Sequence, residues 1–424
     1  MNVISFVVVI IITSLYYFPF NCSLLPAVNT KMALAAIGLL LFAINSSVRR
    51  DAEAEAAFVK VSVWASLVSF VGLFSALVNN SGDYTYASYI VSAWVWMGGA
   101  YTVIKCIEII SGKVTLRLLT IILAFVCVSQ CILSQIISNN AVIAGWIDGF
   151  IVSTGFMGKV EGRLYGIGCA LDVAGLKFCA VLILLAYFAI HPSRKINVYL
   201  ETVLYFLAFV IIGVFGSMIS RTTSIGVVIA LVFWLLTYLF KHETDSRGQY
   251  RYLGQVMFAS IVLFVPIMVF FYRTNPTFHE NLRFGFEGFF SLVEIGEWKV
   301  RSNGQLMSMW VWPDNPLTWL IGDGYFSNPL NSNPYYIGSA FTDYYMGTDV
   351  GYCRFVFYFG IVGLSVFVLY FINCANCCVN KMPRYSVIFW LLLLMNFIGW
   401  NKVSSDLFPI YALLLLLDRE PVKL

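Results

Sequence analysis

Charged side chains are scarce in this chain. Asp, Glu, Lys and Arg make up 11% of its 424 residues, whereas 60% of the residues are hydrophobic and the mean hydropathy is +0.83. A soluble domain carries about 25% charged residues, so the shortage excludes an ordinary water-facing surface. The chain also lacks a long basic run, which excludes a surface that follows nucleic-acid phosphates. The apolar excess must face lipid or other helices within a membrane.

Several sequence signatures of known chemistry are missing as well. The chain has no Walker loop, dinucleotide-binding fingerprint or nucleophile elbow. Its three histidines share no spacing suited to a metal, and the cluster of Cys374, Cys377 and Cys378 has no further Cys or His partner nearby. We therefore predict neither a metal nor a cofactor. We interpret these thiols, which follow a predicted span, as interfacial or palmitoylation-type thiols.

The chain instead contains a series of long apolar runs. A run of about 17–25 residues is long enough to cross a bilayer as a helix. Twelve predicted spans lie at 3–20, 31–46, 60–78, 87–110, 117–137, 172–190, 198–219, 223–240, 254–272, 352–374, 386–400 and 404–417. The second and the last two are short, so eleven or thirteen spans remain alternatives. The predicted fold class is an all-α polytopic integral membrane protein.

The basic residues of the loops predict the orientation of the chain. On one side, fourteen are found: Arg49, Arg50, Lys60, Lys113, Arg117, Arg194, Lys195, Lys241, Arg247, Arg251, Lys381, Arg384, Arg419 and Lys423. The short loops of the other side contain three, namely Lys31, Arg221 and Lys402. Because the side rich in basic residues is cytoplasmic, both termini are predicted to lie in the cytoplasm.

Two segments on the outer side are long, 138–171 and 273–351. The second is rich in proline, asparagine, acidic and aromatic residues, a composition that favours a folded cap over a plain linker. We predict three parts: spans one to nine in 1–272, the cap in 273–351, and spans ten to twelve in 352–424. No internal repeat is strong enough to support an inverted-repeat transporter.

Charged residues beside the spans are the candidates for chemistry, because a charge is costly there. Arg221 lies between two spans with almost no loop, where its guanidinium can bind either a substrate phosphate or lipid head groups. Arg163 lies in a Gly-rich run before a span, and Asp172 follows nine residues later. A structural Arg–Asp pair is the alternative there. Lys177 lies inside the following span, where it either snorkels or faces the same cavity.

A second candidate lies at the end of the large loop. Asp349 precedes the tenth predicted span, and Arg354 follows five residues later. The carboxylate of Asp349 can accept a proton from a hydroxyl as a general base. The alternative is a purely structural role as the N-cap of the next helix.

Three sequence elements follow one another in a fixed order. They are Arg163 with its Gly-rich run and Asp172, the segment 220–223 at the head of a span, and the stretch from 315–324 to Asp349 and 360–363. Their order, with a large outer loop before the tenth span, resembles that of the O-antigen polymerase (Wzy) and O-antigen ligase superfamily. The resemblance covers residues 120–375.

The resemblance implies a polymerase of the bacterial inner membrane. It joins repeat units carried on undecaprenyl pyrophosphate, on the periplasmic side and without a metal. Arg163 and Arg221 are then the groups that stabilise the leaving pyrophosphate, and Asp349 is the base that accepts the hydroxyl proton. The implied substrate contacts are Arg354, Arg301, Lys177, Asp172, Tyr335 and Tyr336. The expected partners are the lipid-linked oligosaccharide, membrane lipids and a chain-length regulator, with no nucleic acid.

The sequence departs from the family in two places. The ligase branch has a histidine before the Gly-Ile-x-Gly of the following span, at the position that Asp349 takes here, and this favours the polymerase branch. An Arg-to-Gly spacing that is typical of polymerases is absent, since Arg163 and Gly175 have one residue too many between them. A ligase and a flippase or transporter of lipid-linked sugars remain the alternatives.

Overall fold

A computed structural model describes residues 2–48, 51–152, 163–193, 198–240, 244–339, 341 and 343–419. At positions 198, 244–251, 253, 257 and 261 the backbone alone is described. Several basic residues of the predicted loops lie outside the described part of the chain: Arg49, Arg50, Arg194, Lys195, Lys241 and Lys423. So does Gly162 of the Gly-rich run that contains Arg163. The described residues are mostly helical and contain almost no strands.

The first nine helices are α1 (Val3–Tyr17), α2 (Thr30–Val48), α3 (Ala52–Val78), α4 (Tyr89–Ser111), α5 (Leu116–Asn139), α6 (Ala141–Phe150), α7 (Leu171–Ile190), α8 (Val198–Ile219) and α9 (Thr223–Phe240). The other eight are α10 (Thr244–Thr274), α11 (Pro276–Gly285), α12 (Glu287–Ile295), α13 (Arg301–Ser308), α14 (Pro316–Ile321), α15 (Gly351–Lys381), α16 (Ser386–Gly399) and α17 (Phe408–Leu415). Short 3-10 turns lie at Pro329–Asn331, Tyr345–Gly347 and Pro383–Tyr385.

The prediction of an all-α polytopic membrane protein is confirmed. Each predicted span overlaps a helix, but the span 404–417 meets only the eight-residue α17. Nine helices of the described residues are long and apolar enough to cross a membrane: α2 to α5, α7 to α10 and α15. Helices α1, α6 and α16 are apolar but shorter, so the number twelve stays a prediction. A short antiparallel pair of strands after α1, β1 (Asn21–Cys22) and β2 (Leu25–Asn29), was not predicted.

The helices form two compact units. The first consists of residues 1–31 and 106–299, and the second of residues 32–105 and 300–424. The boundary at residue 299 divides the predicted cap 273–351, so that α11 and α12 belong to the first unit and α13 and α14 to the second.

Helix α7 is the centre of the first unit and packs against α5, α8 and α9. Every residue from Ala174 to Ile190 is buried. The apolar surface of this helix is thus covered by neighbouring helices, whereas a helix that is apolar on all sides can also face lipid. Gly226 of α9 allows a close approach, since a Cβ there would lie 2.6 Å from the Cα of Cys179. The indole of Trp234 donates a hydrogen bond to the Ala186 carbonyl at 2.8 Å.

Helix α15 of the second unit is broken near its middle. Phe359 and Gly360 leave the helical conformation, and Gly360 has a φ of +65°. A Cβ at Gly360 would overlap the carbonyl group of Leu320. Only glycine satisfies both the positive φ and this close approach.

The turn that follows α14 fills the break. The freed carbonyl of Phe357 accepts a hydrogen bond from the Asp323 N–H at 2.6 Å. The carbonyl of Tyr358 accepts one from the Gly324 N–H at 3.1 Å and one from the Ser75 hydroxyl at 2.6 Å. Buried backbone groups require hydrogen-bond partners. The turn and Ser75 supply them, so both carbonyls are satisfied although the helix is interrupted.

We name this contact between the turn 322–324 and the break 359–360 the glycine joint. Two segments that carry the family resemblance, 315–324 and 360–363, thus meet in the second unit. Their glycines have a structural reason to be there, independent of any chemistry at the site.

Helix α15 also extends beyond the predicted span 352–374, to Lys381. Cys374, Cys377 and Cys378 therefore lie within the helix, and Cys374 and Cys378 are buried. Burial makes these two thiols inaccessible, so a palmitoylation-type role is wrong for them, whereas their interfacial position stays a prediction. The apolar run ends where asparagines begin, but the helix continues because its buried face stays apolar.

Candidate functional site

Two arginines of the first unit share one aromatic ring. The Cζ atoms of Arg163 and Arg221 lie 4.7 and 4.1 Å from the centroid of the Phe284 ring. Arg163 precedes α7, Arg221 lies between α8 and α9, and Phe284 lies near the end of α11. Because the face of the ring is electronegative, it attracts both guanidinium groups. The structure thus brings together two residues predicted for the site, which we name the arginine pair.

Arg221 is attached to the loop segment that contains Phe284. Its Nε donates a hydrogen bond to the Phe284 carbonyl at 2.8 Å, and its Nη2 lies 2.6 Å from the Glu287 Oε2. The side chains of Arg221 and Glu287 are 17% and 32% exposed. The guanidinium is therefore held in one orientation and still reaches solvent.

Arg163 is less completely satisfied. Within the described part of the chain, its buried Nε has no hydrogen-bond partner. Burial lowers the pKa of the Arg163 guanidinium, and the charge of Asp172 partly opposes that effect. An arginine stays protonated in spite of such shifts, so the lowered pKa means that the charge of Arg163 is poorly stabilised where it lies.

The pKa of Arg221 is lowered for the same first reason, burial. The charges of Glu287 and Asp172 raise the pKa of Arg221, whereas the like charge of Arg163 lowers it further. The two guanidinium groups thus destabilise each other's charged form. A bound anion beside the arginine pair would relieve both.

Asp172 positions the turn that carries Arg221. Its Oδ1 accepts hydrogen bonds from the hydroxyls of Ser220 at 2.8 Å and Thr222 at 2.6 Å. The turn lies close to α7 because position 175 is a glycine, where a Cβ would be 2.6 Å from the Ser220 Oγ. A carboxylate in the first turn of α7 also suits the helix dipole. Asp172 thereby acts on Arg221 through two hydroxyls.

Lys177 lies further along α7 and is buried. Its ammonium nitrogen is 5.7 Å from the centroid of the Tyr17 ring and 5.4 Å from that of Phe18. The Tyr17 hydroxyl also donates to the Lys177 carbonyl at 2.9 Å. The structure therefore groups Lys177 with the end of α1, and its predicted substrate contact stays a prediction.

In the second unit, Asp349 and Arg354 form a loose ion pair. Their Oδ1 and Nη1 atoms lie 4.0 Å apart, with Asp349 42% exposed and Arg354 6% exposed. The N-cap of α15 is Val350, and its side chain makes no capping hydrogen bond. The alternative that Asp349 caps this helix is thus wrong, since α15 begins one residue too late.

Arg354 lies between two aromatic rings. Its Cζ is 3.7 Å from the ring centroids of both Phe326 and Tyr344. Its Nη1 donates to the Ser404 hydroxyl at 2.9 Å, and its Nη2 donates to the Phe326 carbonyl at 3.3 Å. These contacts bind the loop to the head of α15 and favour a positioning role over direct substrate contact.

No family model, curated protein or solved structure matches the chain. The resemblance to the polymerase and ligase superfamily therefore rests on the order of its sequence elements alone and stays a prediction. The environments of the residues in those elements are what the structure adds.

The predicted loop residues of the second unit have different surroundings. Tyr335 is 88% exposed, so its ring face is accessible for stacking on a sugar. Tyr336 instead packs edge-on against Tyr325, with 5.5 Å between ring centroids, and burial raises the pKa of Tyr336. Arg301 is exposed at the first position of α13. Of the two tyrosines, Tyr335 is better placed to bind a ligand.

The donor set of the described residues suits anion binding and proton transfer. Within the described ranges, no three His, Cys, Asp or Glu side chains are grouped so as to hold a metal ion. Two of the polar groups that the fold assembles contain residues predicted for the site: the arginine pair with Glu287 in one unit, and Asp349 with Arg354 in the other.

Two residues of the arginine site were not predicted, Phe284 and Glu287. Phe284 is 63 positions from Arg221, and no short-range pattern signals a contact over that distance. The one local hint is Gly285, where a Cβ would lie 3.1 Å from the Ser217 carbonyl oxygen. This glycine lets the loop lie directly on the end of α8.

Proposed function

We propose that this protein is a polysaccharide polymerase that transfers a growing glycan from undecaprenyl pyrophosphate to an incoming lipid-linked repeat unit. The observation that carries the proposal is the arginine pair, whose two desolvated guanidinium groups share one ring outside the membrane-crossing helices. A single polyanion would relieve the repulsion between them. Pyrophosphate suits this role because each phosphate can accept parallel hydrogen bonds from a guanidinium.

The proposed reaction is a metal-independent substitution at an anomeric carbon. A hydroxyl oxygen of the incoming unit attacks the anomeric carbon of the growing chain and forms the new glycosidic bond. The bond from that carbon to the pyrophosphate oxygen breaks, and its electron pair leaves with the pyrophosphate. The arginine pair stabilises the charge that develops on the leaving group.

The proton of the attacking hydroxyl goes to a carboxylate, and we assign that role to Asp349. The support is its 42% exposure and its long 4.0 Å separation from Arg354, which keep the carboxylate accessible to an external hydroxyl. Replacement of Asp349 by Asn removes the proton acceptor and preserves the size. Normal chain length in that variant would end the assignment.

The proposal includes the sidedness of the chain. Twelve spans would cross the bacterial inner membrane, with both termini in the cytoplasm and the loop 273–351 in the periplasm. The support is the excess of basic residues in the loops of one side. A reporter active only in the periplasm must therefore stay inactive when fused to the carboxyl end. A chain-length regulator is the partner that the family resemblance adds.

The test replaces Arg163 or Arg221 by Ala in a strain that lacks the native gene. We expect surface polysaccharide on a gel to lose its long chains while the protein remains at normal abundance. Arg283→Ala is the matched control, because Arg283 lies in the same unit, exposed and paired with Glu294 at 2.7 Å. Long chains in either site variant at normal protein abundance would contradict the proposal.

A flippase or transporter for lipid-linked sugars is the second candidate, and the broken helix α15 favours it. Interrupted spans whose freed carbonyls bind ions or substrate are typical of secondary transporters. Here the freed carbonyls of Phe357 and Tyr358 are occupied by the glycine joint. Because the break offers a ligand few free backbone groups, the polymerase is the better-supported candidate.

A deletion strain separates the two candidates. Without a polymerase, single repeat units still reach the surface and are attached there. Without a flippase, no repeat unit reaches the surface. Absence of all surface repeat units on deletion would therefore favour the flippase.

A further inference from the structure

A pocket of about 250 Å³ lies in the second unit, where α3 begins and α15 ends. It is thus at the opposite end of α15 from Asp349 and Arg354. Its polar lining consists of Lys60, Lys381, Arg419, Glu53, Asn373 and Asn380. Nothing in the proposed glycosyl transfer uses these residues.

Two helix faces form the walls of the pocket. Glu53, Ala56, Ala57 and Lys60 follow the spacing of one face of α3, so all four side chains point to the same side. Ala56 and Ala57 leave the space between the two charged ends of that face. The opposite wall is the final part of α15, where Asn373 and Asn380 are two turns apart.

One basic residue of the pocket is already engaged. The Lys381 Nζ lies 3.1 Å from the Glu53 Oε2 and donates to the Leu415 carbonyl at 3.0 Å. The Arg419 N–H also donates to the Glu53 Oε2, at 3.2 Å. Glu53 and Lys381 therefore tie α3, α15 and the segment after α17 together and set the shape of the pocket.

The other two cations have no such partner. In the part of the chain that the structure describes, neither the Lys60 ammonium nor the Arg419 guanidinium forms an ion pair or a hydrogen bond. The lining as a whole contains three basic side chains and one carboxylate, which leaves a surplus of two positive charges. The side-chain amides of Asn373 and Asn380 add neutral donors. This combination is complementary to a phosphate group.

The surroundings favour a lipid as the source of that phosphate. From Lys60, a stripe of exposed apolar side chains runs along α3 at helical spacing: Val63, Leu67 and Phe70 are 56%, 44% and 66% exposed. Such a stripe offers a surface for an acyl chain directly below the charged group.

The volume of the pocket is also small compared with the roughly 300–1,000 Å³ of typical small-molecule sites. It suits one lipid head group.

We propose that this pocket binds the phosphate of an anionic membrane lipid, with Lys60 and Arg419 as its charged contacts and the α3 stripe along an acyl chain. Basic pockets at the ends of membrane-crossing helices recognise anionic head groups in this way. The bound lipid bridges α3, α15 and the segment after α17, and therefore stabilises the second unit. This proposal does not depend on the polymerase reaction.

The test measures the thermal unfolding midpoint of the purified full chain in detergent while phosphatidylglycerol is titrated. Phosphatidylcholine and inorganic phosphate serve as separate arms. We expect phosphatidylglycerol alone to raise the midpoint. Lys60→Gln with Arg419→Gln should weaken its affinity roughly thirtyfold, from about fivefold for each basic residue removed. Lys113→Gln is the control, since Lys113 is exposed and without a described ion pair, and it should bind as the wild type does.

Glu53→Gln should change the affinity for phosphatidylglycerol in the opposite direction. Its amide oxygen still accepts the hydrogen bonds of Lys381 and Arg419, but the competing negative charge is gone, so phosphatidylglycerol should bind several-fold more tightly. Poor folding cannot produce that result. Three outcomes would each overturn the proposal. The double variant could bind phosphatidylglycerol with unchanged affinity, or phosphatidylcholine could raise the midpoint equally. Inorganic phosphate could also be the only ligand whose effect depends on Lys60 and Arg419.

Discussion

The arginine pair and Arg354 place the same side chain against aromatic rings in two different ways. In the first unit, Arg163 and Arg221 share the single ring of Phe284. In the second unit, Arg354 lies between two rings, is 6% exposed and donates hydrogen bonds to Ser404 and to a backbone carbonyl. One guanidinium is surrounded by its own protein, whereas the other two lie against the same ring in spite of their like charge.

We infer that Arg354 supports the fold and that the arginine pair binds a ligand, because only the pair holds two like charges on one ring. A buried Nε without a hydrogen-bond partner occurs in both regions of the described chain, at Arg163 and at Arg354. The loop beside Arg354 is fixed from within, since the buried carboxylate of Asp83 accepts the N–H groups of Phe326 and Ser327 at 2.9 and 3.1 Å. A buried charge with such partners supports local structure. Two like charges that share one ring instead repel each other, and a bound anion would compensate for that cost. We therefore expect substitutions in the two regions to affect different measurements.

The largest expected effect is that of Arg221→Lys. Lysine keeps the charge but cannot donate two parallel hydrogen bonds to a phosphate. The loss of one such donor to a developing negative charge costs about 10²- to 10³-fold in rate. Surface polysaccharide should become short while the protein abundance stays normal. Arg354→Lys should instead lower the thermal unfolding midpoint of the protein. The polysaccharide made by the folded fraction of that variant should have normal length.

These two variants can contradict the proposed difference between the arginine pair and Arg354. A short-chain phenotype for Arg354→Lys in a stably folded protein would give Arg354 a direct role in the reaction. A lower unfolding midpoint for Arg221→Lys with unchanged chain length would make the arginine pair structural.

Gly360→Ala tests the structural side of the comparison. The φ of +65° and the overlap with Leu320 make any Cβ unfavourable at this position. Such backbone strain, together with the displaced glycine joint, should lower the free energy of unfolding by about 3 kcal/mol. Gly304→Ala is the control, because a Cβ at Gly304 in α13 meets no atom within 4 Å. An unchanged unfolding midpoint for Gly360→Ala would show that the glycine joint is dispensable.

The spans could be predicted because each depends on a local run of apolar residues. The break in α15 could not, since its partner turn at 322–324 comes from a distant part of the sequence and only the fold joins them. The sequence marked Gly360 as part of a family motif, but it did not indicate that this residue has a positive φ. The end of α15 was misjudged because hydropathy falls at Asn373 before the helix ends.

The candidate site was predictable in part for a similar reason. Arg163, Arg221 and Asp172 stand out as charges beside apolar spans, and the structure brings all three to one end of α7. Phe284 and Glu287 have ordinary positions in a long loop, where aromatic and acidic residues are common. Their contacts with Arg221 depend on how α11 returns to the end of α8, which no local pattern encodes.

Phe284 gives the smallest expected effect and the sharpest test of the shared ring. Phe284→Leu removes the ring and keeps most of the apolar volume, so the two guanidinium groups lose a contact worth about 1–2 kcal/mol when desolvated. Polymerisation should fall by roughly tenfold, and Phe284→Tyr, which restores a ring face, should recover most of it. Phe289→Leu is the control, because Phe289 packs on Trp298 with 4.9 Å between centroids. If Leu and Tyr at position 284 behave alike, the ring does not stabilise the arginine pair. The contact of both guanidinium groups with Phe284 would then result from packing alone. The difference between the arginine pair and Arg354 would in that case say nothing about function.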